Sequence, residues 1–471
     1  MASPRAAVDL VALSRTGPVH FMGVGGAGMC ALAEWLQLQG GAVSGCDLKA
    51  GAATARLDAL GAEIRIGHEA AHVDGATALV YTSAVPAGHP ELVRARERGI
   101  PVLKRAEALG ALVAGGRVVA IAGTHGKTTT TALTVEVLVA AGLDPTGFVG
   151  GSVPAWGGNL RRGSDALYVV EADEFDRSFH TLTPDVAVVT NLEADHLDIY
   201  GDVEGVRGAF RDFLARLRPG GTCIVCADDP GSAALLAELP GAGPTYGLSA
   251  GTQLRAVDVV HEAGGSRFRI VEHGVDRGAG RLPVPGDHTL RNALAAAAVA
   301  RSLGADWDAI RTGWQAFRGV GRRFEALGAA ADVEVIDDYA HHPTEIRVTL
   351  EAVRRAHPTR RVVAVFQPHL YSRTRDFATE FGVALAAADR VWVTDVFPAR
   401  EDPIEGVDGA LVVEAAARAG ADVAYEPALD RLPGRVAGDL RPGDVVVTMG
   451  AGSIESTGPT LLALLEAGIH A

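Results

Sequence analysis

Three glycine-rich segments, each between an apolar run and a helical pattern, restrict the folds open to this chain. They are "VHFMGVGGAGMC", "RVVAIAGTHGKTTTT" and "DVVVTMGAGSIES". A strand that turns through glycines directly into a helix is the building unit of α/β folds. Its backbone N–H groups and helix N-terminus form an anion-binding position at the end of the strand. We therefore expect an α/β protein with several positions suited to bound anions.

Strand and helix patterns continue to alternate between these segments. The runs "ALYVVEAD", "VAVVTNLEAD", "VVAVFQP" and "RVWVTDV" are typical of strands buried on both faces. This alternation predicts parallel sheets throughout the chain. Residues 241–283 contain glycine-rich turns and short strand-like runs, and we expect them to form a β-rich edge of the middle domain.

The chain has 471 residues, enough for about three domains of roughly 150 residues each. The segments "AGGR", near residues 114–117, and "RGVGR", near residues 318–322, are the predicted boundaries. The predicted domains are therefore residues 1–115, 116–319 and 320–471.

The charge balance is acidic, with a formal net charge of −14 and a pI near 5.5. This argues against a nucleic-acid or anionic-membrane protein, because both require a basic surface. The N-terminus lacks a signal-peptide pattern and no apolar run approaches the roughly 20 residues that cross a bilayer, so a cytoplasmic location is expected. Cys223 and Cys226 form a CxxC pair within an apolar run; residues three apart on a strand face opposite ways, which favours simple packing over a metal or redox site.

The second glycine-rich segment predicts a phosphate-binding loop. The usual loop has a glycine, four free residues, and then Gly-Lys-Ser/Thr. Here Gly126 and Lys127 are present, but Ile121 occupies the first glycine position and Gly123 follows two residues later. Lys127 is suited to the β- and γ-phosphates of a nucleotide, and the Thr128 hydroxyl to Mg²⁺. The loop therefore predicts phosphoryl transfer or nucleotide hydrolysis.

Two acidic segments follow predicted strands. In "YVVEADEFDRSF", Glu171 closes the strand and is the best metal candidate, while the other acids are expected to be solvated turn charges. In "TNLEADHLDIYGD", Asp195 and His196 lie just past a buried strand. In a chain with a phosphate-binding loop, we interpret His196 as a metal ligand.

The first glycine-rich segment matches a dinucleotide-binding pattern. Gly23, Gly25 and Gly28 have the GxGxxG spacing, and Asp47 ends the next predicted strand. This pattern reports a tight turn and close phosphate approach. It leaves open NAD, a diphosphate on another ligand, and a glycine turn that binds nothing.

The last third of the chain is rich in histidine and arginine. Candidates for a cationic pocket are Arg322, Arg323, His341, His342, His369, Arg373 and Arg375. Arginine binds carboxylate and phosphate groups bidentately. Because the chain has only three lysines, arginine is its general cation, and we favour a binding role only for Arg323 and Arg373.

Nine ordered motifs together resemble the Mur ligase family over nearly the whole chain. They are "GVGGAGM" with "GCD", "GTHGKTTTT", "EADEFDRSF", "TNLEADHLDIYGD", "DHTLRNALAA", "GRRFE", "DDYAHHPTE", "FQPHLYSRT" and "FPAREDPIEGVDG". The shortened loop is that family's own form, GTxGKT.

The resemblance implies an α/β fold of three domains. These are a Rossmann-like N-terminal domain that binds a UDP-sugar, a central P-loop ATPase domain, and a Rossmann-like C-terminal domain that binds the amino acid and part of ATP. The motifs are similar to the branch that uses ATP and Mg²⁺ to join L-alanine to UDP-N-acetylmuramate, through an acyl phosphate, in peptidoglycan precursor synthesis. The family implies a monomer or homodimer without a nucleic-acid or membrane partner.

The resemblance also implies roles for individual residues. Those for ATP are Gly123, Thr124, His125, Gly126, Lys127, Thr128, Thr129, Asn292, Arg323 and Asp338. Those for the UDP-sugar are Gly23, Gly25, Gly26, Gly28, Asp47 and Ser83. The implied metal ligands are Thr128, Glu171 and His196, and the implied L-alanine contacts are Tyr339, His341 and Arg373. The implied catalytic residues are Lys127, His196, Arg323 and Arg373.

Two positions, 370 and 453, differ from what the family leads us to expect, and the absence of one feature of other members agrees with the alanine-adding branch. Other members use a carbamylated lysine, but Lys127 is the only lysine after Lys104 and already belongs to the loop. Leu370 stands where an arginine is expected, which removes a substrate contact, and Ser453 stands where an acid is common.

Three alternative functions compete with the alanine-adding ligase. A muropeptide-recycling ligase shares the loop and the reaction but joins a ready-made peptide, and "FQPHLYSRT" favours the alanine-adding enzyme. An NAD-dependent oxidoreductase rests on the first glycine-rich turn and leaves the phosphate-binding loop unexplained. A nucleotide-switch module predicts slow ATP hydrolysis without an amide product.

Overall fold

The computed structural model describes residues 8–239, 243–262, 264–399 and 401–468. In these segments no helix combines the length and apolar character needed to span a bilayer.

The first glycine-rich turn lies in a five-stranded parallel sheet of order β3-β2-β1-β4-β5. Its strands are β1 (Val19–Met22), β2 (Val43–Asp47), β3 (Glu63–Ile66), β4 (Ala78–Tyr81) and β5 (Val102–Lys104). Its helices are α1 (Leu10–Ser14), α2 (Ala27–Leu38), α3 (Ala52–Ala59), α4 (Pro90–Glu97) and α5 (Arg105–Val113). The strand order reverses at β1, and α/β sheets bind ligands at the carboxyl ends of strands beside such a reversal.

The phosphate-binding loop lies in a ten-stranded sheet of order β15-β14-β13-β12-β11-β10-β6-β9-β7-β8. Its strands are β6 (Arg117–Ala122), β7 (Pro145–Val153), β8 (Gly158–Arg161), β9 (Ser164–Glu171), β10 (Val186–Val189), β11 (Thr222–Cys226), β12 (Thr245–Gly247), β13 (Leu254–Glu262), β14 (Gly265–Glu272) and β15 (Val275–Leu282). The helices of this region are α6 (Lys127–Ala140), α7 (Leu197–Tyr200), α8 (Val203–Leu214), α9 (Pro230–Glu238), α10 (Asp287–Ser302) and α11 (Trp307–Ala316). The predicted β-rich edge is confirmed, because β12 to β15 form one end of the sheet.

The third sheet has the order β16-β17-β21-β18-β19-β20. Its strands are β16 (Glu325–Ala330), β17 (Val333–Asp338), β18 (Arg361–Phe366), β19 (Arg390–Val393), β20 (Val423–Tyr425) and β21 (Asp444–Met449). Its helices are α12 (Pro343–Ala356), α13 (Tyr371–Asp376), α14 (Ala378–Leu385), α15 (Gly409–Arg418), α16 (Leu432–Ala437) and α17 (Thr457–Glu466). Adjacent residues of β17 pack into different apolar clusters, Val335 into one and Ile336 into the other, as expected for a strand buried on both faces.

The prediction of parallel pairing throughout is wrong where neighbouring strands are joined by short turns, as at β8 and β16. β8 is antiparallel to β7 and β16 is antiparallel to β17. Both connections are too short for the crossover that parallel neighbours require. Ala331 and Asp332, which join β16 to β17, have φ angles of 52° and 58°, the conformation of a two-residue hairpin turn.

The mixed α/β class with mainly parallel sheets is confirmed. Cys223 and Cys226 are both buried in β11, in agreement with the packing interpretation. The chain forms two compact units, one of residues up to 257 with 269–278 and 291–317, the other of 258–268, 279–290 and 318 onward.

Candidate active site

The phosphate-binding loop joins the end of β6 directly to the start of α6. Gly123 has a φ of 141° and Gly126 a φ of 79°, values that glycine adopts without strain and other residues rarely reach. A Cβ atom at Gly123 would also collide with the side chain of Thr190. Backbone N–H groups at the start of α6 remain available to an anion, since the first turn of a helix has no intrahelical acceptors for them.

Residues after β10, the strand beside β6, fix this loop in place. Thr190 Oγ1 and Asn191 Nδ2 donate to the carbonyl oxygen of His125, at 2.7 Å and 3.0 Å. The His125 N–H donates to Asn191 Oδ1 at 2.7 Å, and the Glu193 N–H donates to Thr124 Oγ1 at 3.0 Å. We did not predict Thr190 and Asn191 as site residues. Their signal in the sequence is a Thr-Asn pair at the end of a buried strand.

The Lys127 ammonium lies beneath the loop and is paired with a carboxylate. Its Nζ donates to the carbonyl oxygens of Gly123 and Thr124, at 2.8 Å and 3.2 Å. It also donates to both carboxylate oxygens of Glu174, at 3.0 Å and 2.8 Å. Glu174 is 2% exposed, so the expectation of a solvated turn charge is wrong for this residue. The desolvation cost of the Glu174 carboxylate is offset here because it pairs with a buried lysine and accepts several hydrogen bonds.

Lys127 and Glu174 shift each other's pKa. Burial raises the pKa of Glu174 to about 7 against the opposing effect of the Lys127 ammonium. Burial lowers the pKa of Lys127, but the carboxylates of Glu174, Asp173 and Glu171 outweigh it, and the pKa is raised. Lys127 therefore keeps its positive charge at the start of α6.

Glu171 and Thr128 form an oxygen-rich position beside the same helix end. Thr128 Oγ1 donates to Glu171 Oε1 at 3.1 Å, and the Gly150 N–H donates to Glu171 Oε2 at 2.6 Å. A hydroxyl and a carboxylate are the hard oxygen ligands that Mg²⁺ prefers. His196 belongs to the same acidic region, with its Nε2 4.0 Å from Glu174 Oε1. Thr128 and Glu171 are thus in direct contact with each other, whereas His196 lies beside Glu174, the partner of Lys127.

Asn292, on α10, lies against the loop at Gly126. A Cβ atom placed on Gly126 would be 2.7 Å from Asn292 Oδ1. Asn292 is 8% exposed, so its amide is directed to the loop and not to bulk solvent. Its position fits a polar contact to a nucleotide held on the loop.

The first glycine-rich turn has the expected strand-to-helix form. Gly23 has a φ of 78°, and Gly26 is the cap of α2. The Gly25 N–H donates to Asp47 Oδ2 at 2.8 Å, which ties the end of β2 to the turn. Ser83 follows β4, the other neighbour of β1, so the predicted UDP-sugar residues converge at the carboxyl ends of three adjacent strands.

A second group of predicted residues lies in the unit that contains the third sheet. We call Arg323, Asp338, Tyr339, His341 and Arg373 the C-terminal cluster. The Arg323 guanidinium carbon lies 4.9 Å from the centroid of the Tyr339 ring. Asp338 accepts the N–H groups of Phe324 and Ala340, at 2.7 Å and 2.8 Å. Burial raises the pKa of Asp338 to about 6 although Arg323 opposes the shift.

His369 connects the remaining members of the C-terminal cluster. Its ring centroid is 5.7 Å from that of His341, and its Nδ1 is 3.4 Å from an Arg373 nitrogen. The Arg373 side chain is 7% exposed, so its charge is directed into the protein. Such a buried guanidinium is suited to a carboxylate ligand.

Two neighbouring arginines are paired with carboxylates. Arg322 donates to Asp337 at 2.9 Å and to Glu455 at 3.1 Å. Arg375 pairs on the surface with Asp376 at 2.7 Å. Leu370 is 6% exposed and has a φ of 70°, so it serves the turn before α13. Arg322 and Arg375 therefore each have a carboxylate partner.

The chain matches three family models in order. They are described as "Mur ligase family, catalytic domain" over residues 18–117, "Mur ligase middle domain" over 121–300 and "Mur ligase, glutamate ligase domain" over 322–452.

Individual relatives are similar over nearly the full length. The UDP-N-acetylmuramate–L-alanine ligase of Mycobacterium sp. (strain JLS) is 48% identical over 464 residues, covering 95% of each chain. The enzyme of the same name from Kineococcus radiotolerans is 48% identical over 466 residues, covering 98% of each. The crystal structure of UDP-N-acetylmuramate–alanine ligase from Thermotoga maritima superposes with a TM-score of 0.82 at 28% identity, covering 96% of this chain and 100% of that one.

Proposed function

The chain belongs to the Mur ligase family, and on this premise we propose that it joins L-alanine to UDP-N-acetylmuramate with the hydrolysis of ATP. The observation that carries the proposal is the buried Lys127 ammonium at the start of α6, beside Thr128 and Glu171. A cation, helix N–H groups and an oxygen-rich metal position in one place are the parts that phosphoryl transfer requires.

ATP binding places the β- and γ-phosphates on the loop from Gly123 to Thr129. The backbone N–H groups and Lys127 neutralise their charge. In the structure Lys127 is paired with Glu174, so the phosphates replace this carboxylate as the partner of the ammonium. Asn292 contacts the adenine.

Mg²⁺ fits the residues beside the loop because Thr128 and Glu171 supply oxygen atoms 3.1 Å apart. When bound, Mg²⁺ supplies positive charge for the transferred phosphoryl group. His196 would be a further ligand, and its nitrogen atom is less typical for Mg²⁺ than oxygen.

The reaction proceeds in two steps. A carboxylate oxygen of UDP-N-acetylmuramate attacks the γ-phosphorus of ATP, which forms an acyl phosphate and releases ADP. The amine of L-alanine then attacks the acyl carbon, and phosphate leaves with the carboxylate oxygen while the amine loses a proton. Phosphorylation is needed because a free carboxylate has no leaving group for an amine. Lys127 stabilises the charge that develops on the phosphoryl oxygens.

The amino acid binds at the C-terminal cluster, where Arg373 pairs with its carboxylate and Tyr339 and His341 surround its amine. The UDP-sugar binds at the first glycine-rich turn, with its diphosphate on Gly23, Gly25, Gly26 and Gly28 and further contacts from Asp47 and Ser83. In this proposal the turn binds a uridine diphosphate in place of NAD.

The same proposal assigns a ligand to each of three parts of the chain. Residues 1–115 bind the UDP-sugar, 116–319 bind ATP, and 320–471 bind the amino acid and part of ATP. The protein acts in the cytoplasm, where ATP and UDP-sugars are available, as a monomer or homodimer.

Phosphate release tests the proposal directly. Purified protein with ATP, Mg²⁺ and UDP-N-acetylmuramate should release phosphate rapidly when L-alanine is added, and mass spectrometry should detect the amide. Without an amino acid, release should be slow. Faster release with L-alanyl-γ-D-glutamyl-meso-diaminopimelate would assign the chain to peptide recycling. Hydrolysis that no amino acid accelerates would favour a nucleotide switch.

A further inference from the structure

Four potential metal ligands meet in the first sheet, and none of them has a role in the proposed reaction. His20 lies on β1, Cys46 on β2, His72 between β3 and β4, and Glu91 on α4. Their candidate ligand atoms all lie within 4.8 Å of one another. His20, Cys46 and Glu91 are at most 1% exposed, and the His72 side chain is 6% exposed. We call these four residues the β1–β2 cluster.

The distances within the β1–β2 cluster match those of a metal site. Cys46 Sγ lies 3.4 Å from His20 Nε2 and 3.3 Å from Glu91 Oε2. His20 Nε2 is 3.6 Å from Glu91 Oε2, and His72 Nδ1 is 3.5 Å from Glu91 Oε1. Tetrahedral Zn²⁺ with bonds of about 2.0–2.3 Å separates its ligand atoms by about 3.3–3.8 Å. His20 Nε2, Cys46 Sγ and Glu91 Oε2 are therefore already spaced as zinc ligands, and His72 approaches the other carboxylate oxygen of Glu91.

The ring of His20 is oriented as metal-binding histidines are. Its Nδ1 lies 2.9 Å from Ser44 Oγ; in the tautomer with the proton on Nδ1, this nitrogen donates to the hydroxyl and the Nε2 lone pair faces Cys46 and Glu91. Histidine ligands usually make such a bond through the nitrogen that does not bind the metal. His68 adds a fifth donor, with its Nδ1 3.2 Å from Cys46 Sγ.

The charge of the cluster also favours a divalent cation. Glu91 has a side chain with 0% exposure and no arginine or lysine among its ion pairs in the described part of the chain. A Zn²⁺ ion with a thiolate, a carboxylate and two neutral imidazoles has no net charge, which lowers the cost of burial.

We propose that His20, Cys46, His72 and Glu91 bind one Zn²⁺ ion in a structural site. On binding, the Cys46 thiol releases its proton to solvent and the thiolate coordinates the metal, without any oxidation or reduction. Four protein ligands leave no open position, as in structural zinc sites. The ion joins β1, β2 and α4 just behind the first glycine-rich turn, since Asp47 directly follows Cys46.

Cobalt substitution tests the site because a cobalt–thiolate bond has a charge-transfer absorption that oxygen ligands cannot produce. The metal-free, reduced full-length protein is titrated with Co²⁺ in excess Mg²⁺, which occupies the oxygen-rich position beside Lys127. Wild type should develop the band and saturate at one equivalent, and Zn²⁺ should abolish it. Cys46→Ser should lose the band, while Cys223→Ser, which changes another buried cysteine, should keep it. Circular dichroism checks that each variant is folded.

A wild-type protein without the band, or a band unchanged in Cys46→Ser, would overturn the proposal. If Cys46→Ser does not fold, Glu91→Gln decides, because it keeps the thiol and removes one ligand. We expect it to weaken Co²⁺ binding at least about tenfold, since loss of even an outer contact costs 10–100-fold. Unchanged affinity in Glu91→Gln would equally refute the site.

Discussion

At the residue scale, the ammonium of Lys127 shows how this chain keeps a charge ready for phosphate. Two backbone carbonyls and Glu174 hold it beneath the loop, so no side-chain entropy has to be lost when ATP arrives. Glu174 acts as the partner until phosphate replaces it.

Lys127→Ala removes this charge and should reduce turnover in ligation by about 10²–10³-fold, the range for loss of one electrostatic stabiliser. Initial rates of phosphate release measure the effect. Lys104→Ala is the control, because Lys104 is 45% exposed and pairs with Asp176, and surface ion pairs contribute little. Near-wild-type turnover in Lys127→Ala would contradict the assigned role.

Asp338 should make the stability of the folded protein depend on pH. Burial raises its pKa to about 6, above the roughly 3.9 of an unfolded chain. A raised acid pKa means that its contribution is fully present below about pH 3.9 and is lost as pH rises through 6. The free energy of unfolding of wild type should therefore fall by about 2–3 kcal/mol relative to Asp338→Asn between pH 4 and 7.

Urea unfolding at several pH values measures this difference. Only the change of the stability difference with pH is diagnostic. Its absolute size is not, because the Asp338→Asn substitution also disturbs the two backbone hydrogen bonds that the carboxylate accepts. Parallel curves for the two proteins would show that Asp338 does not titrate in this range.

At the element scale, helix α6 offers a matched pair of glycines. Gly126 and Gly142 lie just outside its two ends, with φ angles of 79° and 75°. A Cβ atom at Gly142 meets nothing within 4 Å, whereas one at Gly126 meets Asn292. The backbone strain of a substitution is thus the same at both, and only the Gly126 side faces the proposed nucleotide position.

Gly126→Ala and Gly142→Ala should each lower the free energy of unfolding by about 1–2 kcal/mol, because alanine is strained in the left-handed conformation. Only Gly126→Ala should lose ATP binding, because its methyl group displaces Asn292 and the loop. Thermal unfolding and calorimetric titration with ATP separate the two effects. Equal ATP affinity in both variants would remove Asn292 and Gly126 from the proposed site.

Elements of this chain were predictable where the signal is local. The turn from β6 into α6 and the buried strands follow from contiguous residues. The antiparallel edge β16 was missed because "EALGAA" has little apolar character and its pairing depends on a two-residue turn without glycine. Glu174 was missed because nothing local distinguishes an acid that meets a buried lysine 47 positions earlier from a solvated one.

At the scale of the whole molecule, a different set of polar side chains lies at the strand ends of each of the three sheets. The roles of these sets came from the resemblance to the Mur ligase family. Spacing along the chain could not assign them, because the residues of the C-terminal cluster come from separate motifs. The β1–β2 cluster could not be predicted, because its members come from four segments and include no metal-binding spacing. Such a site becomes visible only when the strand order places β2 and α4 near β1.

The central claim is that ATP activates the sugar acid by phosphorylating its carboxylate. UDP-N-acetylmuramate labelled with ¹⁸O in both carboxylate oxygens tests it, with ATP, Mg²⁺ and L-alanine supplied unlabelled. An acyl phosphate requires the released phosphate to carry ¹⁸O from the sugar, and mass spectrometry should find it there in proportion to the amide formed. Amide formation with unlabelled phosphate would contradict the account.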